Sequence, residues 1–254
     1  MNRLGRPGHV TLAYQVHNRD GAGIPMLLSH GFGATSGMWD SNVAALSADR
    51  PVVVWDQRGH GSSDAPNSSD QYGEDVSVAD MSAILDEVDI DRAVLCGMSL
   101  GGYLSLSFHA AHPERVAGLI LVDTGPGYRN DEARNKWNNW VQSFADEMEK
   151  GDGPPGATAE YEQAVHEHPE ALPLVARTAL AQRDARVINS LDDITVPTLV
   201  IVGAQDADYL AAADYMQRCI AQSRKIVIED AGHAANMDQP NVFNTAVREL
   251  LEQL

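Results

Sequence analysis

The chain has 254 residues, of which 44 % are hydrophobic and 21 % are charged, and these fractions are typical of a folded globular protein. They exclude an intrinsically disordered chain. The 36 Asp and Glu residues outnumber the 18 Lys and Arg residues, which gives a formal net charge of −18. Because this charge repels phosphate backbones and anionic membrane surfaces, we expect no nucleic-acid partner and no membrane insertion.

The start of the chain and its cysteines bear on location. The N-terminal run lacks the apolar core of a signal peptide, and no apolar run reaches membrane-spanning length. Cys96 and Cys219 are too few for a disulfide framework, which favours a reducing compartment. We therefore expect a cytoplasmic protein, and the pattern carries no indication of its oligomeric state.

The first predicted element is a strand at 10–16, where apolar side chains alternate with smaller or more polar ones. A turn-forming run follows at 20–23, so we expect a hairpin at the edge of a sheet. Continuous apolar runs come next, and such runs are typical of strands that are covered on both faces, as in a parallel sheet. These runs are 26–29, 52–55, 92–97, 119–122, 198–202 and 225–228.

Helical patterns at 76–88, 100–111 and 243–254 alternate with these strands, which predicts an α/β fold with a mostly parallel, doubly wound sheet. The alternation stops between 125 and 190, where no strand-like run occurs and apolar residues recur at helical spacing. We expect a helical cap there, inserted after the sixth strand. The α/β core is then 1–124 and 191–254, and the cap is 125–190.

One helix of the predicted cap has an apolar face formed by Trp137, Val141, Phe144 and Met148. This face is expected to dock the cap on the core, and part of it to wall a substrate pocket. Trp137 and Phe144 are the candidates for that wall. A run rich in glycine and proline at 151–156 is predicted to end the helix as a hinge or loop.

The candidate nucleophile is Ser99, in the run Gly-Met-Ser-Leu-Gly-Gly at 97–102. This run follows a predicted strand and precedes a helix, which is the context that the G-x-S-x-G elbow requires. The sharp turn exposes the serine, and the helix N-terminus favours negative charge beside it. Met98 is a further candidate for the substrate pocket.

Acyl transfer at Ser99 requires two donors directed at the developing oxyanion. The backbone N–H of Leu100, directly after the nucleophile, is one candidate. The other is the N–H of Phe32, in the run His-Gly-Phe-Gly at 30–33 that follows the strand at 26–29. Taken without the elbow, this run would be interpreted as a glycine turn.

The candidate base is His233, one of nine histidines, because it lies in a loop after the last predicted strand. Asp206 is the preferred acid, since it follows the strand at 198–202 and precedes His233 in the chain. Asp123 and Asp208 are the alternatives.

No zinc motif or cysteine ligand set occurs, so we expect neither a metal nor a cofactor. The cap histidines at 166 and 168 are expected to face solvent.

Taken in order, these runs resemble the α/β-hydrolase superfamily over essentially the full length of the chain. The matching motifs are 30–33, 56–64, 97–102, 112–116, 203–206 and 232–233. In that superfamily the residue matching Asp206 is usually the triad acid, and the stretch 56–64 resembles a structural turn beneath the site. The resemblance implies a serine hydrolase similar to esterases, enol-lactonases or cofactor-free perhydrolases.

The expected reaction is cleavage of a small carboxylic ester through an acyl-enzyme on Ser99, with an ester or lactone as the partner. Lactonase, perhydrolase and carbon–carbon bond hydrolase activities on the same triad remain alternatives. The resemblance weakens the last of these, since such enzymes commonly have tryptophan where this chain has Ala234. It also argues against epoxide hydrolases and dehalogenases, which have aspartate at the position of Ser99. A ligand receptor without catalysis is the alternative from another class.

Overall fold

The computed structural model describes residues 1–151 and 158–254. Its strands are β1 (Asn2–Arg6), β2 (Val10–His17), β3 (Met26–Ser29), β4 (Val52–Trp55), β5 (Ala93–Met98), β6 (Val116–Val122), β7 (Thr198–Gly203) and β8 (Ser223–Ile228). They form one eight-stranded sheet in the order β1-β2-β4-β3-β5-β6-β7-β8. The strands from β3 to β8 pair in parallel, which confirms the predicted mostly parallel sheet.

The two antiparallel strands form one edge of the sheet. β2 pairs with β1 on one side and with β4 on the other. The predicted edge hairpin therefore exists, but its second strand is β1, which precedes β2, and not a segment after the turn at 20–23. Only Leu4 in β1 is strongly apolar, so this exposed edge strand carries no alternation that a sequence pattern could reveal.

The helices are α1 (Asp40–Leu46), α2 (Glu74–Glu87), α3 (Leu100–Ala111), α4 (Asp131–Glu149), α5 (Ala159–Glu162), α6 (Leu172–Val175), α7 (Arg186–Asn189), α8 (Ala207–Cys219), α9 (Ala235–Asp238) and α10 (Pro240–Leu251). In the described part of the chain, none of them is long and apolar enough to cross a membrane.

Helices cover both faces of the sheet. Neighbouring residues of each parallel strand point to opposite faces, so they contact different helices. In β5, Leu95 joins one apolar cluster together with residues of α2, α3 and α8, while Cys96 joins a second cluster with residues of α1 and α10. Trp55 is fully buried in the first cluster and Trp39 in the second. This arrangement confirms the predicted doubly wound fold.

The helices α4 to α7 lie between β6 and β7, which confirms a helical cap inserted after the sixth strand. α4 begins at an N-cap, where the Asn130 side chain accepts a hydrogen bond from the N–H of Ala133. On its predicted apolar face, Val141 is fully buried. The division into a core and a cap at 125–190 stays a prediction. Of the hinge predicted at 151–156, all but Gly151 lies outside the described residues.

The parallel strands end at a common edge of the sheet, and this is what brings the candidate site together. His30 follows β3, Ser99 follows β5, Asp123 follows β6 and Asp206 comes soon after β7. Residues far apart in sequence therefore meet at one place.

Candidate active site

Ser99 lies at the sharp turn between β5 and α3, with φ 50° and ψ −116°. A positive φ is unusual for a residue with a side chain, and here it is held by neighbours. The Ser99 N–H donates to the carbonyl of Val122 at 2.9 Å, and the Thr124 hydroxyl donates to the carbonyl of Ser99 at 2.6 Å. These bonds attach the turn to β6 and to the residues that follow it.

The glycines of the elbow are required by close backbone packing. A Cβ at Gly97 would lie 2.1 Å from the carbonyl oxygen of Gly101, and a Cβ at Gly101 would lie 2.1 Å from that of Ser29. No side chain fits such gaps. The G-x-S-x-G pattern therefore reflects the contact between the first turn of α3 and the strands beneath it.

Ser99, His233 and Asp206 form one hydrogen-bonded chain. Ser99 Oγ lies 3.1 Å from His233 Nε2, and His233 Nδ1 lies 2.8 Å from Asp206 Oδ2. The carboxylate can only accept, so Nδ1 carries the proton and Nε2 is left to accept from the serine hydroxyl. This is the geometry of a nucleophile, a base and an orienting acid.

The electrostatic surroundings of His233 favour its protonated form. Burial disfavours the charged imidazolium, but the hydrogen bond to Asp206 and the negative charges of Asp206, Asp123 and Glu160 outweigh burial. The pKa of His233 is therefore raised above its ordinary value. An imidazolium formed while the serine is attacking would be stabilised in the same way.

The two alternative acids lie elsewhere. The buried Asp123 carboxylate accepts one hydrogen bond from the N–H of Gly203 at 2.8 Å and another from the N–H of Ala235 at 3.0 Å. Burial raises the pKa of Asp123 to about 7, although these two donors act in the opposite direction. Asp123 thus ties the end of β7 to the loop that carries His233. Asp208 is exposed at the rim of the cavity.

The predicted oxyanion donors, Phe32 and Leu100, lie beside Ser99. Both residues line the same cavity as the serine, and a Cβ at Gly31 would lie 3.3 Å from Ser99 Cβ, so this loop closely approaches Ser99. Among the described residues, no acceptor is found for the backbone N–H of Phe32 or of Leu100. Both donors are therefore available to a ligand oxygen.

Buried neutral imidazoles hold the loop at 30–33 from behind. His60 Nε2 accepts from the N–H of Gly33 at 3.0 Å, and its Nδ1 lies 3.1 Å from the carbonyl of Arg58. His30 Nε2 accepts from the backbone N–H of Gln57 at 2.9 Å. Burial lowers the pKa of His30 to about 4 and that of His60 well below its ordinary value.

A third imidazole, His166, reaches the same loop from the cap, although it was expected to face solvent. Its Nδ1 accepts from the N–H of Gly61 at 2.9 Å, so its Nε2 carries the proton and donates to the carbonyl of Gly33 at 3.0 Å. The ring is only partly exposed, and burial lowers its pKa. His168, by contrast, is exposed as expected.

A cavity of about 920 Å³ opens at Ser99, between the sheet edge and the cap. The three residues expected in its wall, Met98, Trp137 and Phe144, all line it. Phe144 contacts Phe32 edge-to-face, with ring centroids 5.7 Å apart. The cavity wall is therefore shared by the sheet edge and α4.

Tyr209 and Glu160 are among the cavity residues that the sequence analysis missed. Tyr209 stacks on the His233 ring with centroids 5.0 Å apart, and its position three residues after Asp206, in the first turn of α8, is a signal that could have found it. Glu160 is buried in the cavity wall on α5, and no local pattern marks it.

Within residues 1–151 and 158–254, no cluster of three His, Cys, Asp or Glu side chains could hold a metal ion.

Comparisons with known proteins agree with this architecture. A family model described as "alpha/beta hydrolase fold" matches residues 24–189. The 3-oxoadipate enol-lactonase 1 of Acinetobacter baylyi is 31 % identical over 260 residues, which cover 95 % of this chain and 92 % of that protein.

Two solved structures are similar over their full length. A thermophilic esterase from Thermogutta terrifontis has a TM-score of 0.79 and 29 % identity, covering 100 % of this chain and 99 % of that one. An enol-lactonase from Burkholderia xenovorans has a TM-score of 0.81 and 25 % identity, covering 99 % and 100 %. With a family model that matches well over half of its length, the chain belongs to the α/β-hydrolase family and is a hydrolase of that fold.

Proposed function

We propose that this protein hydrolyses small carboxylic esters through an acyl-enzyme on Ser99. The observation that carries the proposal is the chain of hydrogen-bond distances from Asp206 through His233 to Ser99 Oγ, at the floor of a cavity large enough for a small molecule. The esterase and enol-lactonase relatives support the same class of reaction.

In the first half of the reaction, Ser99 Oγ attacks the ester carbonyl while its proton passes to His233 Nε2. The carbonyl oxygen becomes an oxyanion, to which the N–H groups of Phe32 and Leu100 donate. The imidazolium then gives its proton to the alkoxide oxygen, and the alcohol leaves as the acyl-enzyme forms. Asp206 keeps the proton on Nδ1 and stabilises the imidazolium throughout.

In the second half, water replaces the alcohol. His233 Nε2 takes a proton from the water as the water oxygen attacks the acyl carbonyl, and a second oxyanion forms at the same two N–H groups. When this intermediate collapses, the proton returns to Ser99 Oγ and the carboxylic acid leaves. The atoms of one ester and one water are then divided between an alcohol and an acid.

Lactone hydrolysis is the second candidate, and the enol-lactonase relatives favour it. A lactone is an internal ester, so the same steps apply, except that the alcohol stays attached to the acyl group.

The location proposed for this activity is the cytoplasm, which is supported by two free thiols, Cys96 and Cys219.

The first prediction tests the nucleophile. With p-nitrophenyl butyrate, the wild type should release a burst of p-nitrophenol and carry a butyryl group on Ser99, detectable by mass spectrometry. Ser99→Ala and His233→Ala should each lower kcat on the order of 10⁴-fold, because triad members act as a unit.

Ser107→Ala is the matched control. Ser107 lies on α3 after the elbow, and its buried hydroxyl has no hydrogen-bond partner among the described residues, so this variant should keep wild-type kcat. Turnover that survives in folded Ser99→Ala, or acylation at another residue, would show the proposed mechanism to be wrong.

A further inference from the structure

Glu160 is a buried carboxylate in the wall of the cavity that contains Ser99 and His233, and it is only 4 % exposed. Its Oε1 accepts a hydrogen bond from the Thr158 hydroxyl. Its Oε2 is buried and has no hydrogen-bond partner among the described residues. A carboxylate oxygen in this condition is unfavourable unless a bound group supplies a donor or a positive charge.

Among the described residues that line the cavity, the acidic side chains are not balanced by lysine or arginine. Asp206 and Asp208 line it together with Glu160, and none of the described lining residues is lysine or arginine. Glu160 is close enough to His233 for its charge to contribute to the raised pKa of that histidine. A ligand carboxylate would therefore meet like charges in this cavity, whereas a cation would meet complementary ones.

Aromatic rings form the wall of the cavity on the side of α4. The Trp137 and Trp140 centroids are 4.9 Å apart, and Trp140 stacks on Phe144 at 5.2 Å. Tyr161, the neighbour of Glu160 on α5, also lines the cavity. The faces of aromatic rings attract ammonium groups, and indole rings do so most strongly.

We propose that Glu160 determines specificity and that the substrate is an ester or lactone bearing a positively charged ammonium group, which binds between Glu160 and the tryptophan wall. This inference rests on the proposed ester hydrolysis at Ser99, because the ammonium group is bound while the carbonyl lies at the nucleophile. The positive charge of the bound cation compensates the negative charge of the buried Glu160 carboxylate. The net charge of −18 acts in the same direction by attracting cations.

The test compares two p-nitrophenyl esters of the same shape, one of 4-(trimethylammonio)butanoic acid and one of the neutral isostere 5,5-dimethylhexanoic acid. The wild type should prefer the cationic ester in kcat/KM by roughly tenfold or more. Glu160→Gln keeps the size of the side chain but removes its charge. This variant should lose most of the preference, because its kcat/KM should fall more for the cationic ester than for the neutral ester when both are measured at a pH above the His233 midpoint.

Glu162→Gln is the matched control, since Glu162 is exposed on the same short helix, and it should keep the wild-type preference. Circular dichroism and thermal unfolding establish that both variants are folded. A preference unchanged in Glu160→Gln, or an equal loss of activity on both esters, would overturn the assignment of Glu160.

A binding measurement separates this inference from the proposed function. The methyl amides of the same two acids are titrated calorimetrically into Ser99→Ala, with and without Glu160→Gln. Tighter binding of the cationic amide that requires Glu160 supports the inference even if the wild type hydrolyses no ester. Equal or undetectable binding of both amides overturns the inference, even if the wild type hydrolyses esters. The inference is also overturned if the wild type has a higher kcat/KM for the p-nitrophenyl monoester of adipic acid, or for a p-nitrophenyl ester bearing a hydroxyl group, than for the cationic ester.

Discussion

Three aspartates near the carboxyl ends of the strands have different partners, and their partners predict different consequences of substitution. Asp206 bonds the His233 ring, Asp123 bonds only backbone N–H groups, and Asp208 is exposed. Asp206→Asn should lower kcat on the order of 10³- to 10⁴-fold with little change in KM, because the imidazole loses its correct tautomer and its counter-charge. Steady-state kinetics on p-nitrophenyl butyrate measure this.

The other two aspartates are the controls for that experiment. Asp208→Asn should be mild. Asp123→Asn should mainly destabilise the fold, by about 1–3 kcal/mol, because an amide cannot accept from both of the N–H groups that the carboxylate now satisfies. A folded Asp123→Asn with crippled kcat, beside an active Asp206→Asn, would place the acid after β6 instead.

The raised pKa of His233 determines the pH dependence. The base must be neutral to take the serine proton, so kcat/KM should rise with pH, and its midpoint should lie above the ordinary histidine value of about 6.5. Residual activity of Asp206→Asn should show a lower midpoint, since the main group that raises the pKa is gone. A profile that is flat between about pH 5 and pH 9 would argue against a histidine base.

At the scale of elements, the contact between cap and core includes hydrogen bonds to backbone atoms of two glycine turns. His166 bonds Gly61 and Gly33, and the N–H of Glu167 donates to the carbonyl of Gly61 at 2.9 Å. Since Gly33 belongs to the loop that carries Phe32, the side chain of His166 connects the cap directly to the loop of the candidate oxyanion donor.

Replacing that side chain should loosen both elements. His166→Ala loses two hydrogen bonds, each contributing about 1 kcal/mol, so KM should rise and trypsin should cleave the cap segment faster than in the wild type. His168→Ala, in the same segment but exposed, should behave as the wild type does. Equal KM and equal cleavage rates in His166→Ala would show that this contact does not hold the cap.

The elements with strong periodic or apolar patterns were predictable from sequence, and the others were not. β5 and α3 flank Ser99 with unambiguous patterns, so the residue pattern alone was enough to place Ser99 at the turn between them. β1 was not predicted, because a single apolar residue in an exposed edge strand gives no alternation of apolar and polar side chains. The contact of His166 with Gly33 joins positions 133 residues apart, and Glu160 lies on a four-residue helix. No local sequence pattern could therefore predict this contact or the position of Glu160.

At the scale of the whole molecule, acidic side chains outnumber basic ones two to one, and the resulting self-repulsion opposes the compact state. Raising the salt concentration from about 0.01 M to about 0.15 M shortens the Debye length from about 30 Å to about 8 Å. We therefore expect Tm to rise over this range in differential scanning calorimetry at pH 8. A Tm that falls with added salt would show that attractive ion pairs outweigh the repulsion.

The four tryptophans divide into two pairs with separate surroundings. Trp39 and Trp55 are fully buried in the core, whereas Trp140 is 49 % exposed and lies with Trp137 in the cavity wall. Indole emission depends on the polarity around the ring, so the molecule contains two optical reporters. With Trp39 and Trp55 replaced by phenylalanine, the remaining fluorescence would follow occupancy of the cavity in real time. In a second variant, with Trp137 and Trp140 replaced instead, the fluorescence of Trp39 and Trp55 would report global unfolding. Neither signal requires an attached dye.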